Sequence, residues 1–243
     1  MKTILLALLL SIASLNAGES IKLMTEIFPP FQYEEDGNKK LIGISTEIVQ
    51  AIQKEINSQG KIKVYPWARG LKILDKKVNT ALFSMLRTKE REEKYKWVGP
   101  ITSMQLVFFK KKGSSITLNT IEDAKKVGKV GVTKGVANYD ILREKGFKNL
   151  DVITSGQDEK NIRKLVKGRI DLWPTLLMAG VYNSKRMGLV GEVVPIKNVV
   201  VFAGDMYIAF NIKTDDKIIQ KWQKALDKLK KDKSVERIIQ RYK

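Results

Sequence analysis

An α/β fold is what this 243-residue chain predicts, on three observations. Short apolar runs that suit strands alternate with stretches of helical period, the pattern of helices packed on a sheet. Hydrophobic residues make up 43% of the chain and charged residues 29%, enough to bury a substantial core in one or two domains. No internal repeat or low-complexity linker interrupts the alternation.

The first residues stand outside that pattern. Met1-Lys2 gives a short positive start, Ile4 to Ile12 an apolar run broken only by Ser11, and Ala13 to Ala17 a small-residue tail. This is the layout of a secretory leader cut near Ala17, and the run is far shorter than the roughly 20 apolar residues that span a bilayer. The expectation is an exported, soluble product. The chain contains no cysteine, which excludes a lipid-anchoring cysteine, disulfides and thiol catalysis, and no histidine, which excludes imidazole acid–base chemistry and His-ligated metals.

The formal charge is +19, and +18 once Lys2 leaves with the leader. Nucleic acid is not the expected partner. The lysines are scattered as Lys39-Lys40, Lys76-Lys77, Lys110 to Lys112, Lys125-Lys126 and Lys230-Lys231, with no interleaved aromatic residues, and read as a solvated exterior.

Ile21 to Thr25 is the first expected strand, and the two prolines of Phe28-Pro-Pro-Phe-Gln-Tyr33 forbid a helix after it. Gly43-Ile-Ser-Thr-Glu-Ile opens a helix with a Ser45/Thr46 cap, on which Ile44, Ile48, Ile52 and Ile56 share one buried face. Lys61 to Tyr65 alternates as a strand, with Pro66-Trp67-Ala-Arg69 at its end. Thr80 to Ser84 reads as a buried strand, Met85 to Arg87 as a turn, and Thr88 as the cap of a short helix. A helix start there favours an anion, and Arg87 and Arg91 are expected to bracket the same spot, since a guanidinium fork matches a carboxylate. Further strands are expected at Gln105 to Phe109, around Lys129 to Thr133, after Gly168 and over Gly204 to Phe210. A helix is expected near Asp158 to Lys167. The tail from Asp215 to Tyr242 carries Ile218, Trp222, Ala225, Leu226 and Leu229 at helical spacing.

Val78 to Arg91, followed by Trp97-Val-Gly-Pro100, resembles the family 3 extracellular solute-binding proteins of ABC importers, polar amino-acid type. The likeness covers nearly the whole chain after residue 20. It implies a type II periplasmic-binding-protein fold, two α/β lobes joined by two hinge crossovers. Lobe one would be residues 20–106 plus 205–243 and lobe two residues 107–204. It implies a periplasmic protein that captures a small polar, carboxylate-bearing solute, an amino acid or related organic acid, by lobe closure. Its partner would be the transmembrane subunits of an ABC permease, and the protein itself a monomer with no cofactor, metal or catalytic residue.

The implied ligand set is Phe28 and Trp67 as aromatic walls, Ser84 and Arg91 on the carboxylate, Arg69 and Arg87 at the same mouth, and Lys134, Val136 and Thr175 from lobe two. Two departures stand out. Val136 replaces a common threonine, and Leu176 occupies the place where amino-acid binders carry the aspartate that holds the α-ammonium. A leucine cannot balance that charge. Either another acid replaces it, or the solute is acidic or an atypical amino acid. A periplasmic enzyme similar to the cyclohexadienyl dehydratases and a ligand-sensing subunit of a membrane receptor are the alternatives on the same scaffold.

Overall fold

Two long strands run through both halves of the molecule, β6 (Tyr95–Lys111) and β10 (Val193–Asn211), paired antiparallel over nearly their full length. The computed structural model describes residues 21–35, 40–58, 60–134, 136–153 and 158–242, so the expected leader and its cut near Ala17 lie outside the described residues, as does Gly135. Beside the pair stand β5 (Thr80–Leu86), β1 (Lys22–Thr25) and β4 (Lys63–Val64) on one flank and β9 (Trp173–Leu176) on the other, in the order β4-β1-β5-β10-β6-β9. β7 (Val130–Thr133) and β8 (Leu150–Ile153) form a parallel pair that joins through a Val130–Leu172 bridge. β2 (Tyr33–Glu34) and β3 (Leu41–Ile42) make a small hairpin.

Strand alternation divides the first half into two layers, because successive side chains point to opposite faces. Leu23, Phe83, Ile208 and Phe210 face α1 (Ile44–Glu55), α8 (Asp216–Lys231) and α9 (Ser234–Gln240), which contribute Ile48, Ile52, Trp222 and Leu226. Met24, Leu82, Met85 and Ala209 face α2 (Trp67–Lys76) and its buried Leu74. A single turn, α3 (Lys89–Glu92), follows β5.

The second half repeats the scheme. Phe108 faces the side covered by α4 (Ile121–Ala124) and α5 (Ala137–Glu144), with Val130, Val132 and Leu142. Val107 and Phe109 face α6 (Asp158–Val166) and α7 (Leu177–Arg186), with Ile162, Leu165 and Trp173.

On β6 the core changes between Met104, packed in the first half, and Leu106, buried in the second. On β10 it changes between Phe202 and Met206. The β6–β10 register slips around Val200 and again after Met206, and such irregularities bend and twist a ribbon. The result is two α/β lobes joined by two strand crossovers.

Several local readings change. Gly43, not Ser45 or Thr46, precedes α1; its φ of 117° and a Cβ position 2.6 Å from Phe31 O admit only glycine. Ser45 and Thr46 are buried inside the first turn, and their hydroxyls find no hydrogen-bond partner among the described residues. Gly43 N donates to Tyr242 Oη at 3.1 Å, and that hydroxyl and Arg241 both reach Glu47, so the chain's last residues hold the start of α1. The strand expected at Gln105 to Phe109 is longer, beginning at Tyr95 and passing through Pro100.

Gly180 in α7 packs directly on Phe109, whose ring is 1% exposed and lies 5.4 Å from Trp173. An added Cβ would come 2.3 Å from Phe109 Cζ. Gly→Ala inside a helix ordinarily stabilises by up to about 1 kcal/mol. Here Gly180→Ala is expected to destabilise by about 1–3 kcal/mol, as overpacking does, read from the midpoint of urea unfolding.

Candidate functional site

The parallel strands β1, β4 and β5 end at the same edge, so the residues following them form one wall. The ends of β7 and β9 supply residues of lobe two. The halves touch: Leu176 packs against the cores of both lobes, Met178 against that of lobe one, and the Tyr33 and Tyr182 rings lie 5.2 Å apart.

Phe28 sits half-buried in a tight turn, its N–H donating to Gln32 O at 2.7 Å and its ring 5.2 Å from Phe31. Gln32 in turn accepts the Ser84 hydroxyl on Oε1 at 2.7 Å. Ser84 has φ 63°, a left-handed conformation within a strand that is costly for a non-glycine residue. That bond ties the end of β5 to the Phe28 turn.

Trp67 is the first residue of α2, half-buried behind Pro66. Its orientation depends on how α2 is anchored. Tyr95 Oη donates to Asp75 Oδ1 at 2.7 Å, and Asn211 Nδ2 donates to Leu74 O at 2.6 Å. Burial, then the Asp75 carboxylate, pushes the Tyr95 phenol up to about 12. Over the Trp67 ring, at 5.8 Å, lies the Arg91 guanidinium, a cation–π contact. Arg91 is half-buried and donates one N–H to Leu86 O at 3.2 Å, and its other N–H groups have no protein acceptor among the described residues.

The two arginines do not bracket one spot. Arg87 is exposed, holds both carboxylate oxygens of Glu92 and lies over Trp97 at 5.7 Å and Tyr207 at 5.4 Å. The hydrogen bonds it donates to the Glu92 carboxylate raise its pKa. The expected helix dipole also falls away. α3 is four residues long, and no amide bonds to the Thr88 hydroxyl, which goes to the Glu90 carboxylate and lowers its pKa.

Arg69 is exposed and stacks on Tyr65 at 4.8 Å, the ring that Lys22 also approaches at 5.5 Å. Lys134 is exposed beyond β7, Val136 is 42% exposed at the start of α5, and Thr175 is buried in β9. Asp171 accepts the Lys129 N–H at 2.6 Å and fastens the loop before β9, as its sequence position suggests.

Glu26 was not among the residues the sequence singled out. It directly follows β1, two residues after Met24, and strand alternation places it on the α2 side of the sheet with Trp67. Half-buried, its carboxylate makes no hydrogen bond or ion pair among the described residues, and desolvation raises its pKa. The only signal in the sequence is an acid two positions before Phe28.

Among the described residues no group of three or more His, Cys, Asp or Glu could hold a metal ion, and no helix is long and apolar enough to cross a membrane. Residues 21–243 match the family described as bacterial extracellular solute-binding proteins, family 3. The chain is 27% identical over 251 residues to an Escherichia coli (strain K12) protein provisionally named an ABC transporter arginine-binding protein, covering 100% of this chain and 99% of that one. It is 25% identical over 246 residues to the arginine-binding periplasmic protein of Mannheimia haemolytica, covering 100% and 98%. Among solved structures, an ancestral cationic amino acid solute-binding protein matches with a TM-score of 0.78 at 18% identity, covering 92% of this chain and 95% of that one. The neighbours share the periplasmic-binding-protein fold.

Two titrations test this geometry. In the phenolate absorbance titration of the folded protein, Tyr95→Phe should remove one component that titrates above the ordinary tyrosine range, leaving the one due to Tyr242, which is raised further by burial and by Glu47. For Glu26 the raised folded pKa means that its contribution to stability is present below the ordinary carboxylate pKa and lost as pH rises through the raised value. Glu26→Gln should therefore melt higher than the wild type at pH 8, by calorimetry, with the difference vanishing in acid.

Proposed function

The chain belongs to the bacterial extracellular solute-binding proteins, family 3, and from that premise we propose that it is a periplasmic receptor for a small polar solute bearing a carboxylate. The observation that carries the reading is Arg91. Its guanidinium is half-buried at the strand-end edge, backed by Trp67 and, among the described residues, bonded to protein through one N–H only, so most of its fork is available to a carboxylate.

Arg69 and Arg87 have partners of their own, so they do not support a strongly anionic ligand. Glu26 supports the other course that Leu176 leaves open. With leucine at the usual ammonium position, a half-buried, unpaired carboxylate on the same side of the same lobe is a second place for a positive group. The proposed solute is thus zwitterionic, its carboxylate on Arg91 and its amine toward Glu26. The arginine-binding names of the relatives agree with a ligand of that kind.

The chain would be exported through the leader cut near Ala17 and act as a monomer. Lobe one is assigned residues 20–106 plus 205–243 and lobe two residues 107–204, supported by the change of core along β6 and β10. Closure about the crossovers would present the loaded form to an ABC permease, with the closed state favoured only as far as the solute binds it better. The role is capture without turnover, and conversion of prephenate or arogenate by the purified protein would replace it with the enzymatic alternative.

Isothermal titration against a panel of amino acids and amine-free organic acids tests the assignment. Arg91→Ala is expected to weaken every ligand by about 2–5 kcal/mol, the cost of removing one partner of a charge-assisted pair. Glu26→Gln should weaken only those that carry an amine. Unchanged affinity in Arg91→Ala would remove that residue from the site.

A further inference from the structure

Helix α8 turns an uninterrupted cationic edge to solvent. Trp222, Ala225, Leu226 and Leu229 are buried under the lobe-one sheet. Lys217, Lys221, Lys224, Lys228 and Lys231 are all exposed. At about 100° per residue these five fall within a sector of roughly 80°, centred about 130° around the helix from the buried face, and the stripe runs for about 21 Å. The helix's two acids, Asp216 and Asp227, lie outside that sector, on its flank.

Lobe two has lysines held by acids, Lys125 by Glu122 and Lys126 by Asp123, and others such as Lys111, Lys112 and Lys148 that have no ion pair among the described residues but do not line up along one helix face. In the stripe only Lys228 is held by an acid, reaching Glu55 of α1 at 2.6 Å, with Asp232 beyond the helix end also facing it. The amines of Lys217, Lys221, Lys224 and Lys231 have no hydrogen bond or ion pair among the described residues. Nor does an apolar residue break the edge, since the large exposed hydrophobic residues described all lie off α8.

We infer that this face is a docking surface for an anionic phospholipid bilayer. A protein partner would call for a different composition. The centres of protein interfaces are enriched in aromatic residues and arginine and depleted in lysine, and their energy comes from a few anchors seated in pockets. This edge offers only flexible point charges in a row, with no aromatic or arginine among them. Such a set suits a fluid layer of negative headgroups, where each lysine adds a similar increment and no fixed geometry is required. The attraction reaches only about a Debye length, roughly 8–10 Å at physiological salt, so it acts once the helix lies nearly flat on the surface. The buried face keeps α8 part of lobe one, and the contact would be peripheral and reversible. The inference does not depend on which solute the crevice takes.

The test is flotation of the full mature chain with vesicles of phosphatidylcholine alone or mixed with phosphatidylglycerol. Binding is expected to the mixed vesicles only and to be released by high salt. The triple variant Lys217→Gln/Lys221→Gln/Lys224→Gln should lose at least about tenfold in partitioning. The matching change on lobe two, Lys111→Gln/Lys112→Gln/Lys148→Gln, should retain most of it. A more disruptive set, Lys217→Glu/Lys221→Glu/Lys224→Glu, should abolish binding, with circular dichroism confirming that α8 remains folded. Three results overturn the inference: no binding to phosphatidylglycerol, equal losses from both glutamine triples, or a stripe variant that still floats but no longer co-purifies with a membrane protein partner.

Discussion

The antiparallel pairing of β6 with β10 is the constraint from which the rest of the molecule follows. Neither lobe has a complete sheet without those two strands. β5 pairs with β10 in lobe one, and β9 pairs with β6 in lobe two. Because the same ribbon contributes to both cores, the lobes cannot separate, yet among the described residues the ribbon is also the only continuous sheet between them. Its register slips flank the stretch where the core changes hands, one before Phe202 and one after Met206, so the regular ladder across the junction is bounded by irregular pairing on both sides. A geometry that joins two firm bodies by a locally irregular ribbon resists translation and permits rotation.

The candidate site inherits its precision from contacts distant in sequence. Trp67 is aimed by α2, and α2 is fixed at its far end by Tyr95 and Asn211 from the two long strands. Ser84 is held by Gln32, which shapes the turn carrying Phe28. The side chains proposed to meet solute are therefore positioned by polar bonds to elements that also form the junction. Movement of the ribbon and the shape of the lobe-one wall are mechanically linked.

Much of this architecture was legible in the sequence because it rests on local periodicity. Ile44, Ile48 and Ile52 share a face at any point in such a helix, and the apolar runs at residues 21–25 and 80–84 fit only buried strands. The site was less legible. Arg87 and Arg91 look equivalent as letters, and what separates them is Glu92, which takes Arg87, and Trp67, which backs Arg91. Thr88 looked like a cap because three following residues look helical, but one turn is too short to carry a dipole. Glu26 gave almost no signal, since a charged residue at a strand end is ordinarily solvated. Only the tertiary surroundings show that this one is half out of water with nothing opposite it.

The bond from Gly43 N to the Tyr242 hydroxyl has a practical consequence. Gly43 abuts the carbonyls of Pro30 and Phe31, which belong to the turn that presents Phe28, so the penultimate residue of the chain buttresses one wall of the crevice from behind. Loss of the Tyr242 hydroxyl would be felt by that wall although the two lie far apart in sequence. Protein prepared for ligand screening should keep Tyr242 and its hydroxyl intact.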